Sequence, residues 1–224
     1  MENQDLTPIL VAGASGLVGS ALVRRALAEG TGRGVVAVVR RPTGLRGGAL
    51  REVVADFSAL GSLELPRAEK AFCALGTTIG KAGSEAAFRA VDVDAVVAFA
   101  RLARRYGATR FLLVSALGAD PSSRVFYNRV KGEAEEAVRG VGFDGVAIFR
   151  PSLLLGERSE SRPAERAAVL AAPLFSWAMA GPLARWKPVS AASVAAAMLA
   201  VARGALSGVR VVENEEIHRL AAEP

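Results

Sequence analysis

Gly13-Ala14-Ser15-Gly16-Leu17-Val18-Gly19 is the stretch whose reading decides the fold. It follows an apolar run at residues 8–12 and opens residues 17–29, where Leu17, Val18, Ala21, Leu22 and Leu27 fall on one helical stripe that Gly30 and Gly32 terminate. A buried strand, a glycine-rich bend and a helix in that order meet three separate demands for glycine. The first residue makes a tight turn, the second lets the backbone approach a pyrophosphate, and the third lets the helix pack close to the sheet. Helix N–H groups then face the phosphates. The glycines are three apart each time, which departs from the simplest G-x-G-x-x-G. The strand before and the helix after therefore carry the reading of a dinucleotide-binding turn.

Outward from this turn, apolar runs of strand length alternate with longer segments of helical period, the pattern of βαβ units. Strands are expected at residues 8–12, 35–39, 52–55, 70–75, 109–115 and 145–150, with a last one at 209–212. Helices are expected at 17–29, at 84–106 with Ser84 as N-cap, at 122–140, and at 193–203. The fold class is α/β, a doubly wound parallel-sheet Rossmann fold. A chain of 224 residues, 51% hydrophobic, suits one such domain over 1–224.

Composition excludes several function classes. The only cysteine, Cys73, lies in an apolar stretch and reads as a small buried hydrophobe, so no disulfide framework arises within one chain and a reducing cytoplasm fits. Residues 1–5 are polar and lack the basic start of a secretory signal. The apolar tract 167–183 is broken by Pro173 and Pro182, and 191–202 is too short to span a bilayer; both read as packed helices. The net charge of +6 would suit nucleic acid, but the arginines are scattered in pairs and only 6% of residues are aromatic. Cytoplasmic localisation, no nucleic acid and no stable membrane insertion are the expectations. No metal site is read.

Two sets of residues carry chemistry. At the end of the second strand, where an acidic residue would hold the ribose 2′-hydroxyl of NAD, the chain reads Val38-Val39-Arg40-Arg41-Pro42. A guanidinium pairs with a 2′-phosphate through parallel hydrogen bonds, which favours NADP(H), with NAD(H) as the alternative and two solvated surface arginines as the bland one. Asp56, followed by Phe57, closes the third strand on the cofactor side. It offers an acceptor for the adenine amino group or caps a following helix.

Tyr127 and Lys131 are four apart on a helix, so they share a face, and Ser115 ends the fifth strand before the loop into that helix. A phenol is a poor acid at neutral pH unless a nearby ammonium favours phenolate, which Lys131 supplies while it hydrogen-bonds the nicotinamide ribose. Ser115 is read as holding and polarising a substrate carbonyl while Tyr127 gives or takes the proton and hydride passes to or from the nicotinamide. The single histidine, His218, reads as surface or helix-end and not catalytic.

Together these residues resemble the short-chain dehydrogenase/reductase superfamily, atypical or extended branch, and within it the Tat-interacting-protein-like oxidoreductases. The resemblance spans most of the chain. It rests on the glycine turn, Cys73-Ala74-Leu75-Gly76-Thr77-Thr78, Gly80-Lys81-Ala82-Gly83, Val91-Asp92-Val93-Asp94, Ser115 with Gly118-Ala119-Asp120, the run 127–133, Phe149-Arg150-Pro151, the run 159–163 and Glu213-Asn214. It implies an NADPH-binding Rossmann fold in which Leu75, Gly76, Thr77 and Thr78 flank the cofactor. It also puts Arg150 and Pro151 beside the cofactor and makes Ser152, Leu153 and Leu154 cofactor-side or pocket residues. Residues 151–208 form a small C-terminal substrate-side region.

The leading expectation is an NADP(H)-dependent oxidoreductase acting on a small carbonyl or alcohol. A non-enzymatic NADP(H)-binding redox sensor or regulatory scaffold is the alternative, since the family includes regulators, and a regulatory protein partner or a homo-oligomer belongs with it. A nucleotide-sugar epimerase or dehydratase is disfavoured by the short C-terminal half and by Arg40.

Overall fold

The computed structural model describes residues 7–30, 34–155 and 185–222. The first strand, β1 (Ile9–Ala12), is fully buried, and its residues alternate between two cores. Ile9 and Val11 join one apolar layer while Leu10 and Ala12 join the other. A strand with helices on both sides has no polar face, which is why the run reads as uninterrupted hydrophobe.

Six further strands complete one parallel sheet with it: β2 (Val35–Val39), β3 (Leu50–Val54), β4 (Lys70–Cys73), β5 (Arg110–Val114), β6 (Gly145–Arg150) and, in chain order after two short strands, β9 (Gly208–Glu213). The sheet order is β3-β2-β1-β4-β5-β6-β9. The chain winds outward in one direction from β1 to β3, then returns past β1 and winds the other way from β4. The reversal leaves a crevice at the carboxyl ends of β1 and β4.

One layer against the sheet is formed by α1 (Leu17–Ala28), α6 (Ala191–Arg203) and α7 (Asn214–Ala222). The other holds α4 (Ala95–Arg105), with Phe99 packed against Phe111 of β5. On the same side runs α5 (Phe126–Arg139), whose Val138 joins that core. Two short helices, α2 (Ile79–Ala82) and α3 (Glu85–Arg89), precede α4. The strands β7 (Leu154–Leu155) and β8 (Val189–Ser190) pair with each other outside the main sheet.

The differences from expectation have local causes. The helix expected at 84–106 is broken by a π turn at Ala90–Asp94 between α3 and α4; Ser84 caps α3 by accepting from Ala87 N. The helix expected from 122 begins at Phe126, because Asp120 accepts from the amide and hydroxyl of Ser122 and Ser123 Oγ accepts from Val125 N, holding 120–125 in turns. The third strand runs two residues earlier at its start, as a sheet edge that carries Arg51 and Glu52 among its apolar residues. β7, β8, α2 and α7 were not anticipated. His218 lies within α7 with its Nε2 buried, not at a helix end. The expected apolar helix at 167–183 and the run 159–163 lie outside the described residues.

Candidate functional site

The glycine turn joins β1 to α1 at the crevice. Gly13 has φ +85°, and a Cβ there would stand 2.4 Å from the carbonyl carbon and oxygen of Ala74, at the end of β4. A Cβ on Gly19 would lie 2.1 Å from Gly13 O. These two positions exclude any side chain by backbone contact alone. Gly16 is different, since an added Cβ would be only tight, at 3.3 Å from Gly13 O. Gly16 N donates to Gly13 O at 2.9 Å and the residue lines the open cleft. It also heads α1 without a side-chain cap or an acidic residue in the first turn. A negatively charged diphosphate fits this cradle by both shape and charge.

The cleft encloses about 610 Å³. Gly13, Ala14, Ser15 and Gly16 form its floor with Ala74, Leu75 and Gly76, and Val91, Asp94 and Ala98 form a wall. Leu17, Val18 and Gly19 stand behind the lining, within α1. Arg40 is exposed at the rim; Arg41 is exposed but does not line the cleft. The turn carrying them is tied to β3, since Thr43 donates its amide and hydroxyl to Glu52. Asp56 and Phe57 line the cleft at the end of β3. Asp56 accepts from Ser58 N at 2.9 Å, and hydrogen bonds from the Ser58 amide and hydroxyl hold its pKa below the ordinary value. It holds a local turn and caps no helix, since the short 3-10 helix that follows, Leu60–Ser62, has Ala59 at its N-cap and no side-chain cap; Asp56 still faces the cleft.

Tyr127 sits in the first turn of α5 with Lys131 one turn on, and α5 itself lies close against the preceding loop. A Cβ on Gly132 would stand 2.2 Å from Pro121 N, so only glycine lets this helix approach. The Tyr127 ring packs against Phe88 of α3, centroids 5.8 Å apart and tilted 55°. Lys131 is buried, and its Nζ lies 2.6 Å from Asp92 Oδ1. The second oxygen, Asp92 Oδ2, accepts from Thr77 N at 2.9 Å. Burial pulls the Lys131 pKa down, but the Asp92 carboxylate, with Tyr127 and Cys73 near, outweighs burial and leaves it above the ordinary lysine value. Burial pushes the Cys73 thiol up to about 12, so it stays protonated and inert. Gly76 joins cleft and lysine: it lines the cleft, and a Cβ there would lie 3.4 Å from both Lys131 Nζ and Asp92 Oδ1.

Ser115 is buried directly after β5, and its hydroxyl donates to Glu135 Oε1 at 2.6 Å. Glu135 is only 1% exposed. Arg150 forks onto both of its oxygens, at 3.0 and 2.7 Å, and reaches Glu213 at 3.2 Å. Arg139 adds a bond of 3.3 Å. The guanidinium of Arg150 is thus occupied within the protein instead of facing the cleft. Of the other expected cofactor-side residues, Thr78 caps α2 and Pro151 O accepts from Leu117 N. Ser152 bonds Asn214 and Lys187 O, and Leu153 is 61% exposed. None of Thr77, Thr78, Arg150, Pro151, Ser152 and Leu153 lines the 610 Å³ cleft.

Sequence reasoning assigned no role to Asp92 or Glu135. Glu135 carried a usable signal. It lies one turn beyond Lys131 and two beyond Tyr127, so it shares their inward face, where a carboxylate requires partners.

Among the described residues no helix is long and apolar enough to cross a membrane, and no three His, Cys, Asp or Glu gather as a metal site. A family model described as NAD(P)H-binding matches residues 13–204. The rat (Rattus norvegicus) protein HTATIP2 is 38% identical over 170 residues, covering 74% of this chain and 69% of that one. Protein FMP52, mitochondrial, of Coccidioides immitis is 31% identical over 232 residues, covering 94% of each. Among solved structures, MoeE5 in complex with UDP-glucuronic acid and NAD aligns with TM-score 0.70 at 22% identity, over 92% of this chain and 75% of that one. The human epimerase family protein SDR39U1 with NADPH aligns with TM-score 0.59 at 16% identity, over 92% and 73%. These two share the fold. With the glycine cradle, the parallel sheet and the matched family model together, the chain belongs to the NAD(P)H-binding family, in the atypical short-chain dehydrogenase/reductase branch that includes the Tat-interacting-protein-like proteins.

Proposed function

We propose that the protein is an NADP(H)-dependent oxidoreductase that interconverts a small carbonyl and its alcohol. One observation carries the reading: Gly76 lines the dinucleotide cleft, and a Cβ added to it would come within 3.4 Å of the Lys131 ammonium, so the Tyr127–Lys131 face of α5 lies next to the cleft wall where a nicotinamide ribose would emerge. When bound, the nicotinamide supplies or accepts a hydride. Tyr127 gives the proton to the developing alkoxide in reduction, or takes it from the alcohol in oxidation. Lys131, charged and held, hydrogen-bonds the ribose. Arg40 at the rim selects the 2′-phosphate of NADP(H). Ser115 takes part only if its hydroxyl turns from Glu135 to the substrate. Residues 151–208 form the substrate side, of which 156–184 lie outside the described residues.

The test compares the parent and Tyr127→Phe in a screen of small aldehydes and ketones with NADPH. The variant is expected to lose on the order of 10²–10⁴ in turnover, the worth of a positioned proton donor, with NADPH affinity unchanged. Full turnover in the variant would remove Tyr127 from the chemistry. A second reading, an NADP(H)-binding protein whose partner affinity follows cofactor state, draws support from Ser115, whose hydroxyl already donates its hydrogen bond to Glu135. It predicts cofactor binding with no turnover on any carbonyl and a partner profile that changes with the NADP+/NADPH ratio.

A further inference from the structure

Asp92 is buried to 1% exposure, within five residues of π helix. A π turn shifts the residues it contains relative to an α-helical frame; such turns are rare and occur frequently at functional sites. Here the shifted residue is a carboxylate with no part in the scheme above. Its two oxygens serve different elements: Oδ1 meets Lys131 of α5 at 2.6 Å and Oδ2 takes the amide of Thr77 in the loop after β4 at 2.9 Å. That loop includes Gly76, which lines the dinucleotide cleft.

A buried ion pair is weak evidence for stability, because desolvating two charges cancels most of their attraction. Its value lies in fixing a geometry. An ammonium on a flexible four-carbon stem, buried beside Cys73 and Tyr127, has many rotamers and one strong attractor.

We propose that Asp92 is a positioning residue for cofactor binding: it clamps the Lys131 ammonium to the Thr77 amide and so presents that ammonium to the nicotinamide ribose. This rests on the reading that Lys131 contacts that ribose. The clamp acts on the nicotinamide half of the cofactor and leaves the adenosine half, held at the glycine turn and Arg40, untouched.

The test is a double-mutant cycle of Asp92→Asn and Lys131→Met, read as dissociation constants for two probes: NADPH, and adenosine 2′,5′-bisphosphate, which lacks the nicotinamide ribose. Asn keeps an oxygen for Thr77 N and loses the charge. Asp92→Asn and Lys131→Met are each expected to weaken NADPH by about tenfold, the worth of one charge-assisted hydrogen bond. The double variant should be no weaker than Lys131→Met, and the bisphosphate should bind all of them as it binds the parent. The enhanced emission of bound NADPH should fall in both single variants.

If Lys131→Met weakens NADPH and Asp92→Asn does not, Asp92 positions nothing and the inference is overturned while the reading of Lys131 stands. If Asp92→Asn weakens both probes alike, its role is structural and the inference is again overturned. If Lys131→Met leaves NADPH affinity unchanged, the ribose contact itself fails and the proposed function goes with it. Should Asp92→Asn not fold, the double variant leaves no unpaired charge, and a loss beyond that of Lys131→Met alone would contradict the clamp.

Discussion

At Ser115 the residue's type and its observed hydrogen bond point to different partners. A serine after the fifth strand reads as a donor to a substrate carbonyl, yet its hydroxyl proton points 2.6 Å to a buried carboxylate. A hydrogen bond to a charged acceptor is worth about twice a neutral one, so a carbonyl does not displace it for nothing. Ser115→Ala is therefore expected to reduce turnover by no more than about tenfold, well short of the loss in Tyr127→Phe. Steady-state kinetics of the two variants side by side check this, and equal losses would mean that Ser115 turns to the substrate. Tyr127 and Lys131 were legible because a four-residue spacing on a helix puts two side chains on one face whatever surrounds them. The pairings of Ser115 and Lys131 were not, although the spacing of Glu135 already set it on the same inward face. Glu135 and Asp92 reach them through tertiary contacts across 20 and 39 positions of chain, and no local pattern encodes such distances.

Among the elements, α5 is the one on which the site depends. Its inward face carries Tyr127, Lys131 and Glu135, and Glu135 is tied through Arg150 to the end of β6 and through it to Glu213 at the end of β9. Removing Arg150 leaves Glu135 with Ser115 and the more exposed Arg139. Arg150→Met is expected to cost on the order of 3 kcal/mol, as for breaking a buried ion pair from one side, measured by chemical denaturation. Adding Glu135→Gln should recover part of that loss, because the uncompensated charge is then gone; an additive loss would show that the two residues act apart. The boundaries of α5 and the π turn before α4 were the least legible features at this scale. A π turn changes the helical frame by one residue, which an apolar stripe absorbs without visible interruption. The start of α5 is delayed by hydrogen bonds that the Asp120 and Ser123 side chains accept from the amides of Ser122 and Val125, and the preference of these residues for turns over helix only tertiary context resolves.

For the molecule as a whole, the sheet order explains where the chemistry gathers. Strands leave β1 in one direction and β4 in the other, and the glycine turn, Arg40, Asp56 and Gly76 all follow the carboxyl ends of β1, β2, β3 and β4. This architecture was legible because buried parallel strands must be continuous hydrophobe and crossover helices must alternate with them. The C-terminal part was less so: β7 and β8 are two residues each, and α7 follows β9 with no spacer to mark its start. The cradle at Gly13, Gly16 and Gly19 is shaped for a diphosphate, and Arg40 is proposed to add preference for the 2′-phosphate.

Titration of the purified chain with NADPH and, separately, with NADH tests that account most directly. Saturable binding of one NADPH per chain, about tenfold tighter than NADH or more, is the predicted result. Equal or tighter binding of NADH would contradict the role given to Arg40, and uptake of neither would contradict the dinucleotide cleft itself.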